Sequence, residues 1–126
     1  MFCLFLLSRL SFSQSAVGVW SDHLRYDLSY DVAVADGMVF SSNGSSLLIY
    51  DKKYDETRKL SKVNGLSDVG ISSIGWSPER RTLVIAYNNG NVDLLRGNRI
   101  TNIADILKKN IDAPKKINRI RCRDNF

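Results

Sequence analysis

The sequence predicts an all-β fold made of β-propeller blades, each of them a four-stranded antiparallel sheet. Two observations support this prediction. Short runs of strand-forming residues alternate with Gly-containing turns along most of the chain, which is the pattern of antiparallel hairpins. The pattern then starts again. Residues 71–95 repeat the order of strands and turns seen at residues 31–51, and residues 116–126 begin a third unit. Repeats of about 40 to 45 residues with four short strands are typical of propeller blades.

The first unit contains short strands joined by tight turns. Gly readily takes the positive φ that the primed turns of hairpins require. A polar stretch at residues 51–59 follows, which we interpret as a loop or an edge strand. In order, the preceding elements are a strand at 32–35, a turn at Asp36-Gly37, a strand at 38–42, a turn at Asn43-Gly44 and a returning strand at 47–50.

The second unit repeats this order after the turn at residues 63–68. Its strand at residues 83–87 is made of strong β-formers. Trp76 and Tyr87 fall on strands and are expected to fill the gap between blades. The elements are a strand with Ile71, Ile74 and Trp76, a turn at 77–81, the strand at 83–87, a turn at 88–91 and a returning strand at 92–95.

The last part of the chain predicts a helical turn and a further strand. Residues 102–107 could form one turn of helix capped by Asn102. Residues 116–122 predict the first strand of a third unit, with Ile120 and Cys122 on one face. About two blades and the start of a third cannot cover both faces of every blade. We therefore expect this chain to be a fragment of a larger propeller and not to fold stably alone.

The N-terminus has the pattern of a secretory signal peptide. An apolar run is followed by Ser13 and Ser15 at the −3 and −1 positions of a cleavage site before Ala16. The usual positive charge ahead of the run is absent, and a buried first strand or helix is the alternative. The run is shorter than the roughly 20 apolar residues that span a bilayer. We predict a signal peptide at residues 1–15, the N-terminal part of a propeller domain at 16–126, and no transmembrane span.

The composition disfavours several kinds of chemistry. Cys3 would be lost with the signal peptide, which leaves Cys122 alone and no intrachain disulfide. Two cysteines and one histidine cannot build the usual four-ligand zinc site. The sequence has no phosphate-cradling Gly loop, nucleophile elbow or paired-carboxylate motif. We therefore predict no enzyme activity and no cofactor.

The positive charge of the chain is concentrated in one segment. The formal net charge is +5, and residues 108–123 hold seven basic residues against one acidic residue. A nucleic-acid protein would usually interleave aromatic residues with its basic ones, and none lies between Tyr87 and Phe126. Nucleic acid is therefore not an expected partner. A solvated strand edge is one interpretation, and contact of Arg119 and Arg121 with anionic lipopolysaccharide is the other.

Two further groups of residues are candidate binding sites. Trp20, Asp22, His23 and Tyr26 form a polar aromatic cluster that could pack on a sugar ring. A strand that enters the propeller and anchors its start is the simpler interpretation. Asp68 follows Gly65 in a tight turn and could present a carboxylate at the propeller rim. A turn in which the Asp bonds its own backbone is the alternative.

The order of these segments resembles a known family. The stretch NGLSD followed by VGISSIGWSPERRTLVIAYNNGNVDLL, at residues 64–95, is similar to the two-component-regulator propeller repeat. A closer resemblance is to the N-terminal β-propeller of the PorZ family of Bacteroidetes type IX secretion systems. It covers residues 17–126 through the opening VGVWSDHLRYDLSYDVAVADG and the later segments LSKVNGLSDVGISSIGW, LVIAYNNGNVDLL, ITNIADILKKN and KKINRI.

The resemblance implies a function in protein secretion. It implies an exported protein of the periplasm or outer-membrane surface that acts in an attachment complex, where a sortase-like partner processes cargo and joins it to anionic lipopolysaccharide. In that setting the propeller is a binding and scaffolding module. The generic repeat leaves a second hypothesis, the periplasmic ligand-sensing propeller of a hybrid two-component regulator that binds an oligosaccharide. A propeller-type polysaccharide lyase or glycosidase is the third.

Overall fold

The structure is a computed structural model that describes residues 29–123. These residues form two four-stranded antiparallel sheets in which the strands follow each other in chain order. The first sheet consists of β1 (Asp31–Ala35), β2 (Met38–Ser42), β3 (Ser46–Asp51) and β4 (Glu56–Ser61). The second consists of β5 (Ile71–Ser77), β6 (Thr82–Tyr87), β7 (Val92–Arg96) and β8 (Arg99–Ile103), and a short helix α1 (Asp105–Lys108) follows. The predicted all-β, blade-like architecture is confirmed.

The two faces of the first sheet differ because side chains alternate along its strands. Phe40 pairs with Ala33 on one side and with Ile49 on the other, and all three are buried on the face that packs on the second sheet. Val32 and Val34 point the opposite way and are 53% and 62% exposed. The core of the described region therefore lies between the two sheets.

The second sheet presents a largely apolar face to the first. Ile74, Leu83, Ile85 and Leu95 are buried there. Trp76 stacks on Phe40 of the first sheet, with ring centroids 5.6 Å apart and an interplanar angle of 20°. This contact confirms the prediction that Trp76 fills the gap between blades.

Hydrogen bonds hold the innermost strands of the two sheets together. The Oδ2 atom of Asp31 accepts from the Ser73 hydroxyl at 3.1 Å and from the Ile74 N–H at 2.9 Å. The Ile71 N–H donates to the Gly44 carbonyl at 2.6 Å. Because β1 and β5 pair only within their own sheets, these contacts fix the register of one blade against the next.

The connections between strands lie at two edges of the sheets. One edge, called here the turn rim, carries the turns at 36–37, 52–55, 78–81 and 97–98. The other, called here the loop rim, carries the turns at 43–45 and 88–91 and the long connection at 62–70. The polar stretch at 51–59 ends in the outer strand β4, as predicted for an edge strand.

The predicted helix cap is wrong. The helix begins at Asp105 with Ala104 before it and has no side-chain cap. Asn102 lies in β8 instead, and its amide donates to Asn91 Oδ1 at 2.9 Å and to Asp93 Oδ1 at 2.8 Å. Because the Asn102 amide donates to these two acceptors, its side chain points into the sheet and is not available to cap the helix.

The predicted third strand is also not formed within residues 29–123. Residues 116–123 lie against β5 without a ladder. The Ile120 N–H donates to the Ser73 hydroxyl at 3.2 Å, and its Cγ2 would be 2.5 Å from a Cβ placed on Gly75. A strand needs a ladder partner, and an inner strand such as β1 or β5 pairs with the next strand of its own blade. That partner does not lie among the described residues.

Candidate functional site

A cleft opens between the two sheets at the turn rim. Its volume is about 250 Å³. The cleft has an apolar floor, and its rim holds three arginines and one aspartate. The floor is formed by Met38, Phe40, Trp76, Pro78 and Leu95, and the rim by Asp36, Arg58, Arg81, Arg96 and Gly97. We call this site the arginine cleft.

Local hydrogen bonds hold two of the three arginines in place. Arg58, on β4, donates to the Asn98 side chain and, at 3.4 Å, to the Gly97 carbonyl of the other sheet. Arg96, at the end of β7, donates from Nε to the Thr82 hydroxyl at 3.2 Å. Both contacts fix side chains that would otherwise move freely at the surface.

The third arginine has an unusual backbone. Arg81 ends the turn at 78–81 with φ +50°, a left-handed conformation that costs a non-glycine residue about 1 to 2 kcal/mol. Its N–H donates to the Pro78 carbonyl at 3.3 Å. The sequence places an arginine where glycine would be less strained.

The arginine cleft carries a net positive charge, since its rim holds three arginines and one aspartate. Lys62–Asp68 is the one salt bridge among the described residues, so no carboxylate of residues 29–123 lies within 4 Å of the three guanidinium groups. Sequence reasoning missed this site, because Arg58, Arg81 and Arg96 come from different hairpins of two sheets. The only local hint was the run Glu79-Arg80-Arg81 in a turn.

Asp68, a predicted site residue, ties two connections of the loop rim together. Its Oδ2 accepts from Asn89 Nδ2 at 2.6 Å, and its Oδ1 accepts from the Val69 N–H at 2.9 Å. Lys62 Nζ lies 3.6 Å from Oδ1. The hydrogen bond from Asn89 is the main reason why the pKa of Asp68 is lowered. This geometry gives Asp68 a structural role, and a role in ligand binding stays a prediction.

A buried acidic group lies beneath this turn. Asp93 is fully buried and accepts from the Ser67 N–H at 2.8 Å and from the Tyr87 hydroxyl at 2.6 Å. Asn102 completes the set, with its amide donating to Asp93 Oδ1 at 2.8 Å. Burial, followed by the hydrogen bond to Asp93, raises the pKa of Tyr87. Because neither Asp93 nor Tyr87 reaches solvent, this network stabilises the blade.

The ionised form of Asp68 is expected to stabilise the fold. Because its pKa is lower in the folded state, this contribution is present above the usual aspartate pKa of about 4 and is lost as the pH falls through the folded-state value. Asp68→Asn should lower the free energy of unfolding by about 1 kcal/mol at pH 7. Urea unfolding at pH 7 and pH 3 measures it, with exposed Asp112→Asn as the control. An equal loss at both pH values would contradict the assignment.

The remaining predicted site residues lie in the basic segment or outside the described region. Arg119 and Arg121 are both exposed. Arg119 lines a groove of about 500 Å³ beside the inner strands, together with Asp31, Ser73 and Asn118. The predicted cluster of Trp20, His23 and Tyr26, like the predicted signal peptide, falls outside residues 29–123.

Residues 29–123 carry neither a metal cluster nor a membrane-spanning helix. Residues 29–123 hold no group of three or more His, Cys, Asp or Glu side chains placed to share a metal ion. None of the helices described there has the length and apolar character needed to cross a bilayer.

Comparison with known proteins decides the family. Residues 39–126 match the family model described as the PorZ N-terminal beta-propeller domain of the type IX secretion system. The chain belongs to this PorZ family. The match covers more than half of the 126 residues and confirms the resemblance seen in the sequence. A role related to type IX secretion follows from it.

A solved structure supports the same assignment. PorZ of Porphyromonas gingivalis, described as an essential bacterial surface component of the type IX secretion system, is 29% identical with a TM-score of 0.59. The similarity covers 64% of this chain and 11% of that protein, so the chain spans about a tenth of its length. A search of curated proteins found no match.

Proposed function

We propose that this chain is a non-catalytic binding module of the type IX secretion attachment complex, which holds anionic lipopolysaccharide near a sortase-like partner. The observation that carries the proposal is the basic segment at residues 108–123 of a PorZ-family propeller. Six of its seven basic side chains are exposed, and the seventh, Lys115, donates to the Leu107 carbonyl at 2.7 Å. No carboxylate among residues 29–123 forms a salt bridge with any of them.

The segment has the chemistry that an anionic glycolipid requires. Exposed Lys and Arg side chains near an anionic surface each contribute about 1 kcal/mol to binding, and the arginine fork matches a phosphate with two parallel hydrogen bonds. The groove beside Arg119 adds Ser72 and Asn118 as polar partners for sugar hydroxyls. Charge and polar groups therefore lie side by side along the inner strands.

The family supports the location and the choice of partner. The related protein of P. gingivalis is a surface component, which agrees with the signal peptide that we propose at residues 1–15 and the exported domain that we propose at 16–126. The family match favours this function over the sensor propeller of a two-component regulator. The described residues offer positive charge and hydrogen-bond donors, which suit binding, and we propose no catalytic residue.

Binding to lipopolysaccharide vesicles tests the proposal. The full-length protein would be titrated with phosphatidylcholine vesicles containing lipopolysaccharide. The charge reversal Arg119→Glu/Arg121→Glu/Arg123→Glu is expected to weaken binding at least about tenfold, since each residue contributes about 1 kcal/mol. The matched control reverses three charges away from the segment, in Lys52→Glu/Lys53→Glu/Arg80→Glu. Equal binding by both variants would refute the role of the segment.

A further inference from the structure

We propose that the arginine cleft binds a short acidic and apolar peptide segment of a partner protein, with a carboxylate at the rim and an apolar side chain on the floor. The cleft lies between the two sheets at the turn rim. The basic segment instead packs on the far face of the second sheet, where Lys115 lies beside Gly90 and Ile120 beside Gly75. The proposal therefore concerns a second site and goes beyond lipopolysaccharide binding.

The floor of the arginine cleft has the character of a binding surface. It is built on the stacked pair of Phe40 and Trp76, with ring centroids 5.6 Å apart. Phe40 is buried, while Trp76 keeps part of its surface accessible. Trp and Arg are the residues most often found at the energetic centre of protein interfaces. A partly accessible tryptophan beside three arginines therefore fits a protein ligand.

The rim of the cleft is arranged to receive a carboxylate. Arg58 and Arg96 are oriented by hydrogen bonds to Asn98 and Thr82, so less freedom is lost when they bind. A guanidinium group pairs with a carboxylate through two parallel hydrogen bonds. Arg81 keeps a left-handed backbone, with φ +50°, and such strain is often found at functional positions.

The size and lining of the cleft favour a peptide over a glycan. Its volume of about 250 Å³ is below the roughly 300 to 1,000 Å³ of small-molecule pockets. A space of this size suits one or two amino-acid side chains. Aliphatic side chains such as Met38 and Leu95 line the floor, and they suit an apolar side chain better than a hydroxyl-rich sugar ring. An apolar group beside an anion satisfies both the floor and the rim.

A peptide array read with the full-length protein tests the proposal. Four classes of hexapeptide would be compared, namely acidic with apolar, acidic with polar, apolar without charge, and basic with apolar residues. The acidic and apolar class is expected to bind at least about tenfold more tightly than each of the others. Equal binding of all classes would overturn the proposal, and so would a preference for acidic and polar peptides, which would indicate a simple anion site.

The variant Arg81→Gly separates binding from stability. It removes one guanidinium group and also relieves the positive φ, so its thermal midpoint should not fall, while the preferred peptide should bind at least about fivefold more weakly. Arg80→Gln, at an exposed arginine outside the lining, is the control and should bind as the wild type does. Unchanged peptide binding by Arg81→Gly would overturn the proposal. Lipopolysaccharide binding should survive in this variant, which distinguishes the two sites.

Discussion

Replacing Asp93 with alanine is expected to lower the free energy of unfolding by about 3 to 5 kcal/mol. The substitution removes the acceptor of three hydrogen bonds, from the Ser67 N–H, the Tyr87 hydroxyl and the Asn102 amide. At this fully buried position water cannot readily replace the lost acceptor, and a buried donor left without a partner, here the Tyr87 hydroxyl, costs about 1 to 3 kcal/mol. Urea unfolding of the full-length protein measures the loss.

Two milder substitutions check the cause of this effect. Tyr87→Phe removes one donor and leaves the carboxyl group in place, so we expect a loss of about 1 to 2 kcal/mol. Asp112→Asn, at an exposed carboxyl group, should change the stability by less than about 0.5 kcal/mol. A loss in Asp93→Ala no greater than that in Tyr87→Phe would show that the network contributes little.

Replacing Phe40 with alanine is expected to cost about 3 to 5 kcal/mol. Phe40 is 2% exposed and joins the two sheets by stacking on Trp76. The loss combines the missing apolar contacts with the cavity left between the sheets, since close-packed interiors relax only in part. Chemical unfolding followed by circular dichroism measures it.

The control for Phe40 is an apolar side chain outside the core. Val63, in a turn of the loop rim, is 75% exposed, so Val63→Ala should change the stability by less than about 0.5 kcal/mol. Similar losses at Phe40 and Val63 would mean that the packing between the two sheets does not hold the blades together.

The strands and turns could be predicted because their causes are local. Asp36-Gly37 and Asn43-Gly44 form turns in which Gly37 and Gly44 have φ of 74° and 86°, as the residue types required. In the structure the side chains alternate along β2 and β3, which places Phe40 and Ile49 on one buried face. Trp76 was expected between blades because a large aromatic side chain on a strand needs a neighbouring surface to cover it.

The surroundings of the candidate site residues could be predicted only where charge is concentrated in the sequence. Arg119 and Arg121 were expected to be exposed because they lie in a basic segment, and they are. Asp68 was expected in a turn, but its bond from Asn89, 21 residues away, depends on how two connections meet. Similarly, the amide of Asn102 donates to acceptors on the neighbouring strand β7 and in the turn before β7. A local capping rule does not consider such acceptors.

The sequence alone thus determined the repeat, the hairpins, the family and the position of the basic segment, because each depends on residue types at short separations. Only the tertiary structure decided how the blades meet. The arginine cleft needs β4 of one sheet beside the end of β7 of the other, which brings Arg58 and Arg96 to the same opening. Residues 116–123 lack a ladder because backbone pairing requires a partner strand in space. Contacts between distant residues depend on the packing of whole sheets, which the pattern of a single strand does not contain.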